Sequence, residues 1–348
     1  MRRSNYDLLR VLACFLVVLG HVSGTFIETM VWDLIDGLPL NHPLFSMIYT
    51  ALARVSVPAF LMLSGAFLLN DERTGDVKTF YRRSFWKIGP PAAGCVVFTL
   101  FYNLITRTGM DHLGLRAALE PFLYGAPFYH LWYLPILFGL YLLAPFIHGA
   151  KMKLTRGGFV KAAVFMVVFG NLSMYMTGPI QFHWNIGEVF CYAGYFMMGA
   201  VLYTEKPNPR AGAVEILAGI LIECFAGYIA YRAILGGMER EMAEHWFILS
   251  YTPFTTAASL LFFSGFGKIQ VRRSWHRLAS HSYSIYLVHA FVLDIIIRLC
   301  RTLLGQRWLT HLDARFFVPL ITMGVFLISL CVSVLLKRAD NKKKLKAA

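Results

Sequence analysis

Apolar residues in this chain fall into long runs separated by short polar stretches. The runs lie at approximately 8–28, 44–69, 86–106, 131–149, 160–177, 186–203, 211–235, 246–266, 282–304 and 316–336. Each is close to the ~20 residues an α-helix needs to cross a ~30 Å hydrocarbon core. The pattern predicts an all-α integral membrane protein of about ten transmembrane helices, with residues 1–348 forming a single transmembrane domain. No internal repeat is visible. No inverted pair of broken helices stands out, as it does in many transporters.

The polar stretches are basic, and unevenly so. With the N-terminus inside, 23 of the 33 Lys and Arg residues fall at cytoplasmic ends and loops, including Arg2, Arg3, Arg82, Arg83, Lys151, Lys153 and six in the tail after Leu336. Only Arg107, Arg116, Arg240, Arg301, Arg307 and Arg315 fall on the other side, and Arg10, Arg54, Arg232 and Arg298 lie within or at the ends of runs. This is the positive-inside bias, and it predicts both termini in the cytoplasm. An odd helix number would invert half the loops and destroy it. Trp32, Trp86, Trp132, Trp184, Trp246, Trp275 and Trp308 fall at expected helix ends or in loops, where an aromatic belt belongs.

Composition agrees with lipid as the main solvent. The chain is 57% hydrophobic and 15% charged, against about 25% charged in soluble domains. A net charge of +14 would suit nucleic acid, but the cations sit between apolar runs and no RNP, zinc-knuckle or helix-turn-helix pattern accompanies them. Cys14, Cys95, Cys191, Cys224, Cys300 and Cys331 all lie in apolar runs without CxxC spacing, which argues against disulfides and a metal site. Met1-Arg2-Arg3 before an apolar stretch resembles a signal peptide, yet Arg10 sits at its edge and no A-x-A site follows. An uncleaved first helix is expected.

Charged and polar residues inside the runs need a reason, because a charge at mid-membrane costs at least ~2.5 kcal/mol. Arg10 and His21 are eleven residues apart, which is within ~20° of three full turns and gives ~16 Å of rise. They share one face, with Arg10 near the cytoplasmic surface and His21 deep. Two readings stand. Either Arg10 snorkels to the headgroups and His21 makes one interhelical hydrogen bond, or His21 is a general base. Arg54 reaches similar depth on the second helix, where it either holds an anionic group or pairs with Glu223. Asp294 and Arg298, four residues apart, are expected to satisfy each other. Pro58 and Pro135 are expected to kink their helices and open space. His42, His112, His148, His245, His276 and His311 sit in expected loops or helix ends. No HExxH, nucleophile elbow, Walker motif or GxGxxG appears.

Four segments in order resemble the acyltransferase-3 family of membrane acyltransferases. Tyr6-Asp7-Leu8-Leu9-Arg10-Val11-Leu12-Ala13 with His21 is similar to its opening signature. Arg54-Val55-Ser56-Val57-Pro58-Ala59-Phe60 running to Ser64-Gly65-Ala66-Phe67-Leu68-Leu69 resembles its second helix, with Ala66 replacing the usual aromatic and expected to reshape the lining near Arg54. His130-Leu131-Trp132-Tyr133-Leu134-Pro135 and Ser282-Tyr283-Ser284-Ile285-Tyr286-Leu287-Val288-His289 resemble its later motifs. Within the family the segments resemble those of surface-polysaccharide O-acetyltransferases such as the enterobacterial common antigen O-acetyltransferase.

The resemblance implies a multi-pass protein of the bacterial cytoplasmic (inner) membrane, in contact with membrane lipids. It would move an acyl group, usually acetyl from acetyl-CoA, to a hydroxyl of an extracytoplasmic glycan or lipid-linked saccharide. His21 and Arg10 take the catalytic positions. Arg54, Trp132, His289, Arg82 and Arg83 are substrate-binding candidates, Arg82 and Arg83 as loop cations that draw the donor's phosphates. No metal and no nucleic acid is expected, and no fused SGNH-type esterase domain is expected after the tenth helix. A competing reading is a transporter or flippase of a glycan or lipid-linked saccharide, using the same buried residues to bind it; a third is a sensor or scaffold of this fold. The acceptor, the acyl length and the oligomeric state are not legible.

Overall fold

Each of the ten apolar runs is occupied by helix in the computed structural model, which describes residues 4–35, 42–107, 128–175, 186–204, 206–305 and 308–347. The helices are α1 (Ser4–Ile35), α2 (Pro43–Arg54), α3 (Ser56–Leu68), α4 (Val77–Arg107), α5 (Tyr133–Lys153), α6 (Arg156–Tyr175), α7 (Ile186–Leu202), α8 (Pro209–Leu235), α9 (Arg240–Phe247), α10 (Pro253–Lys268), α11 (His276–Ala279), α12 (Ser282–Leu304) and α13 (Ala314–Ala347). No strand occurs among the described residues. Arg2, Arg3, His112, Arg116, Trp184 and Arg307 lie outside them, as do the side chains of Trp32, Arg107 and the lysines after 340.

Among the described residues, seven stretches are long and apolar enough to cross a membrane: Ser4–Glu28, Pro43–Leu68, Val77–Thr106, Tyr133–Lys153, Arg156–Met174, Pro209–Leu235 and Ala314–Ala339. Gly187–Leu202 is apolar but shorter. The run at 246–266 divides, because α9 ends at Phe247 and Pro253 opens α10 behind the Thr252 cap, whose hydroxyl accepts from the Thr255 amide. Proline suits a first helical turn, where its missing N–H costs nothing.

Three local expectations need correction. Helix α4 starts well before the apolar run, at Val77, where Asp76 accepts from the Thr79 amide (3.2 Å). Arg82 and Arg83 are therefore exposed residues of a helix and not loop cations, and Trp86 lies inside that helix. Lys and Arg are good helix formers, so the helix continues past the apolar segment. Pro135 sits in the first turn of α5 and does not kink it; the interior proline there is Pro145. Pro58, in contrast, coincides with a break. It has no N–H for the carbonyl four residues back, that of Arg54, and the helix is interrupted at Val55.

The chain forms two compact units, residues 1–67 with 160–348 and residues 68–159. In the first, α1 packs against α2, α12 and α13. One core joins Val11, Cys14, Val18, Leu19 and Val22 of α1 to Ile285, Leu293, Val318, Val325 and Phe326. Ser23 and Thr50 share a hydrogen bond (2.8 Å), and a Cβ on Gly20 would lie 3.0 Å from that of Ala53. Both pairs fit one antiparallel register of α1 and α2. Helices α3 and α7 approach backbone to backbone, since a Cβ on Gly65 would strike the Phe196 carbonyl and one on Gly199 the Met62 carbonyl. Small residues at helix crossings are how membrane helices gain dispersion contact.

The second unit holds α4, α5 and the 3-10 turn Glu72–Gly75. Phe80 stacks on Tyr141 with centroids 6.2 Å apart, and the Tyr81 hydroxyl donates to the Leu142 carbonyl (2.7 Å). The far end of α5 is tied to the preceding turn. Lys151 donates to the Leu69 carbonyl (3.1 Å) and to Asn70 (2.6 Å), and His148 Nδ1 donates to Leu69 (3.2 Å). His148 is thus a buried helix residue with a structural bond.

The α3–α7 crossing makes a sharp prediction. Gly65→Ala places a methyl on backbone that cannot yield, and should cost about 3 kcal/mol or more. Gly324→Ala meets open space on α13 and should be neutral or stabilise by up to about 1 kcal/mol. Thermal unfolding in detergent separates the two; equal effects would refute the backbone contact.

Candidate active site

Two polar groups form at different levels of α1. At its N-terminal end, Asn5 Nδ2 donates to the carbonyls of Phe266 (2.9 Å) and Gly267 (3.1 Å). These belong to the last turn of α10, whose carbonyls lack intrahelical donors. Tyr6 is fully buried, stacked on Tyr203 (5.3 Å) and edge-on to Phe67 (6.0 Å). Its hydroxyl accepts from the Thr204 amide (3.2 Å).

Arg10 lies one turn further along. Its guanidinium carbon is 5.5 Å from the centre of the Phe67 ring, a cation–π distance. Its Nη1 is 4.0 Å from Asp7, a loose ion pair, and Asp7 also faces His276 at 3.9 Å. Phe67 therefore acts beside Arg10. Ala66 is buried next to it, twelve residues from Arg54 in sequence. That is ~18 Å of helix, so the alanine does not shape the surroundings of Arg54 as expected.

His21 defines the second level. Its ring faces that of His289 on α12, with centroids 5.2 Å apart and planes tilted by 35°. His289 is fully buried, while His21 is half-buried and keeps accessible surface. Cys14 reaches the Ser282 carbonyl (3.6 Å), and the pairs 14–282 and 21–289 have the same offset, so α1 and α12 run parallel. The Arg54 guanidinium is near enough for its charge to act on His21, and the Gly20–Ala53 contact sets the two residues on facing turns of α1 and α2. The structure thus brings together His21, His289 and Arg54. Arg10 shares the α2–α3 side of α1 but stands at the other level, ~16 Å away.

The ion pair of Arg54 is made with Glu244 and not with the Glu223 of the second reading, although its charge also acts on Glu223. Arg54 Nη2 donates to Glu244 Oε2 (2.9 Å), and Arg240 Nε donates to the other oxygen (2.7 Å). Glu223 is completely buried beside Thr255, and neither of its oxygens reaches hydrogen-bonding geometry. Glu244 lies on α9, which folds back against α8. Ala243 is fully enclosed there among Ile27, Met47, Ala51, Ala226, Ala230 and Ile248. The next turn is fixed by a hydrogen-bonded chain. Asn171 donates to Thr256 (2.9 Å), Thr256 to Tyr195 (2.7 Å), and Tyr195 to the Ser250 carbonyl (2.6 Å).

Sequence reading missed Glu244, although Arg240 and Glu244 at i,i+4 before an apolar run were visible as a short charged helix. Asp294 and Arg298 do pair as expected (2.7 Å). The remaining candidates lie in the second unit. Arg82 and Arg83 are exposed on α4, and Trp132, also exposed, immediately precedes α5 with its ring edge-on to Tyr133 (6.3 Å). His130 and Leu131 beside it are buried.

These features describe a multi-helical membrane protein with imidazole and guanidinium groups inside its apolar helices. Residues 3–338 match the acyltransferase-3 family, described as an acyltransferase domain. The chain belongs to that family. A curated Enterococcus faecalis protein named amino-acid racemase is 25% identical over 185 residues, covering 50% of this chain. Those residues are 23% of that protein, so the chain spans about a quarter of its relative's length. No solved structure matches.

The Arg54–Glu244 pair carries its own prediction. Glu244→Gln leaves a partly buried guanidinium short of a charged acceptor and should cost about 2 kcal/mol, in the range for hydrogen bonds to charged groups. A double-mutant cycle with Arg54→Gln should return a coupling above ~1 kcal/mol. Additive losses would remove the pair from the account.

Proposed function

We propose that this protein moves an acyl group, in the first instance acetyl, from cytoplasmic acetyl-CoA to a hydroxyl of an extracytoplasmic glycan or other cell-envelope acceptor. Membership of an acyltransferase family supports acyl transfer. The observation that carries the rest is the placing of His21, half-buried in apolar helices, beside both Arg54 and His289. An imidazole in such a place has the chemistry of a general base.

In this reading the chain is one domain of about ten spans in the bacterial cytoplasmic membrane, with both termini inside. The helix directions support it. Helix α1 runs antiparallel to α2 and parallel to α12, as a first helix does to the second and ninth of an alternating bundle. The basic cytoplasmic stretches, including Arg82 and Arg83 on α4, attract the donor's phosphates. Arg10 sits where it would meet them first.

His21 takes the proton of the acceptor hydroxyl as its oxygen attacks the thioester carbonyl. The carbon–sulfur bond breaks, and the proton on His21 passes to the departing thiolate. Atoms and charge balance without a metal or a redox partner. In this reading Arg54, held by Glu244, stabilises the negative charge that the carbonyl oxygen gains. Trp132 remains a candidate for acceptor contact.

Purified protein given labelled acetyl-CoA and an envelope glycan fraction should transfer label to the glycan. His21→Ala should lose at least ~100-fold in kcat, the scale of general-base catalysis. Arg10→Ala should chiefly raise the KM for acetyl-CoA. Full transfer by His21→Ala would defeat the assignment, and an absence of CoA binding and thioester cleavage in the wild type would defeat the reaction.

A further inference from the structure

Helix α1 changes character at His21. Between Arg10 and His21 its accessible residues are Leu12, Phe15, Leu16, Val17 and Gly20, all apolar. C-terminal to His21 they are Gly24, Thr25 and Glu28, and none carries a large apolar side chain. The large apolar residues of that stretch, Val22, Phe26 and Ile27, are all buried. Val22 and Phe26 join the core shared with α12 and α13, and Ile27 packs in the cluster with Met47 and Ala51 of α2. Ser23 turns to α2 as well, in its bond to Thr50. A helix face turned to lipid has the reverse order, with apolar side chains outside and polar ones within the bundle.

The accessible residues share one face with His21. Gly24, Thr25 and Glu28 lie within ~60° of it around the helix, and ~4.5, ~6 and ~10.5 Å further along. Thr25 donates to the His21 carbonyl (3.1 Å), and Glu28 is the last residue of the span. Gly24 has no packing reason to be a glycine. At Gly20 the close approach of Ala53 supplies one, since a Cβ there would lie 3.0 Å from that of the alanine. A Cβ on Gly24 would meet nothing within 4 Å, although a glycine inside a helix costs about 1 kcal/mol against alanine. The space it keeps is one helical turn from His21.

We propose that this face is the acceptor's subsite: a water-filled passage from the outer end of α1 to His21, entered at Glu28 and floored by Thr25 and Gly24, that takes a hydroxyl-bearing saccharide. This rests on the reading of His21 as the base for an extracytoplasmic acceptor, and it names the residues that admit that acceptor. A sugar stripped of water pays for every unpaired hydroxyl, so its path must stay polar or wet. The C-terminal half of α1 is polar where it is accessible, and the half toward Arg10 is not. The Glu28 carboxyl accepts from sugar hydroxyls at the entrance. One helix thus sorts the two substrates by polarity, and they meet at His21. Gly24 is the specificity-determining position, because a side chain there narrows the passage without entering the donor's half.

Thiol chemistry tests the passage without any acyl transfer. A permanently charged, membrane-impermeant methanethiosulfonate modifies thiols that meet water and spares those that face lipid. It is added to right-side-out vesicles carrying the full-length protein, and peptide mass spectrometry follows each introduced cysteine apart from the six native ones. Glu28→Cys, Thr25→Cys and Gly24→Cys should all be modified, in falling order of rate. Gly24→Cys should react at least tenfold faster than Val17→Cys or Ile27→Cys. Val17 is accessible on the apolar half and Ile27 is buried, so one control reports lipid and the other packing. In the acetyl-CoA assay with the envelope glycan fraction, Gly24→Leu should raise the KM for glycan at least tenfold. Its KM for acetyl-CoA should change less than twofold.

A Gly24→Cys protein as slow as Val17→Cys overturns the proposal, because the face then meets lipid. Modification from the cytoplasmic side alone, seen with inside-out vesicles, overturns it too, as does an unchanged glycan KM in folded Gly24→Leu. Should the Gly24 variants fail to fold, Thr25→Cys and Glu28→Cys still decide whether the face is wet. If the wild type transfers no acetyl group, the labelling still shows whether a passage reaches His21, so the two failures are distinguishable.

Discussion

A guanidinium within apolar helices must find its counter-charge inside the protein, because no water is there to solvate it. Arg54 poses that demand on α2, and the answer comes from a segment almost two hundred residues away in sequence, Glu244 on α9. To deliver one carboxylate, the chain between α8 and α10 folds back and buries Ala243 against α1, α2 and α8. Arg240 completes the charge balance from the same short helix. An ion pair of this kind is weak evidence for stability in itself. Its consequence is geometric, since it fixes a guanidinium beside His21.

The break at Val55 belongs to the same arrangement. Pro58 removes the donor that the Arg54 carbonyl would use, so the helix is interrupted directly after the arginine. Below the break, α3 is pressed to α7 by Gly65 and Gly199 and cannot shift. The residues around Arg10 likewise have divided duties. Asn5 and Tyr6 tie α1 to α10 and to the chain after α7, while Asp7 and Phe67 flank the arginine. A stretch that reads as one signature is, physically, an anchor followed by a charged site.

What was legible in the sequence is what periodicity and hydropathy encode within one element. The ten apolar runs, the shared face of Arg10 and His21, and the Asp294–Arg298 pair are all local. Neighbour relations between helices are not. Glu223 and Glu244 were both available to Arg54 by composition, and only the packing of α8 and α9 decides between them. The contact of His21 with His289 depends on α12 lying parallel to α1, which no spacing within α1 reveals. Helix ends were misjudged where polar residues extend a helix beyond its apolar part. Lys78, Arg82 and Arg83 prolong α4 because straight-chain cations are good helix formers, and hydropathy does not see this.

The two levels of α1 bear on the choice of donor. Between Arg10 and His21 every residue of α1, from Val11 to Gly20, is apolar, an interval of ~16 Å. A small polar molecule cannot touch both levels at once. A molecule with a phosphorylated head, a long thin arm and a reactive acyl end can, and acyl-CoA has that form. In the proposed reading the apolar interval is therefore a measure of the donor. Its head is held by charge at one end of α1, while the carbonyl meets an imidazole and a guanidinium at the other. A transported saccharide, polar along its whole length, would gain nothing from the apolar side chains between the two levels.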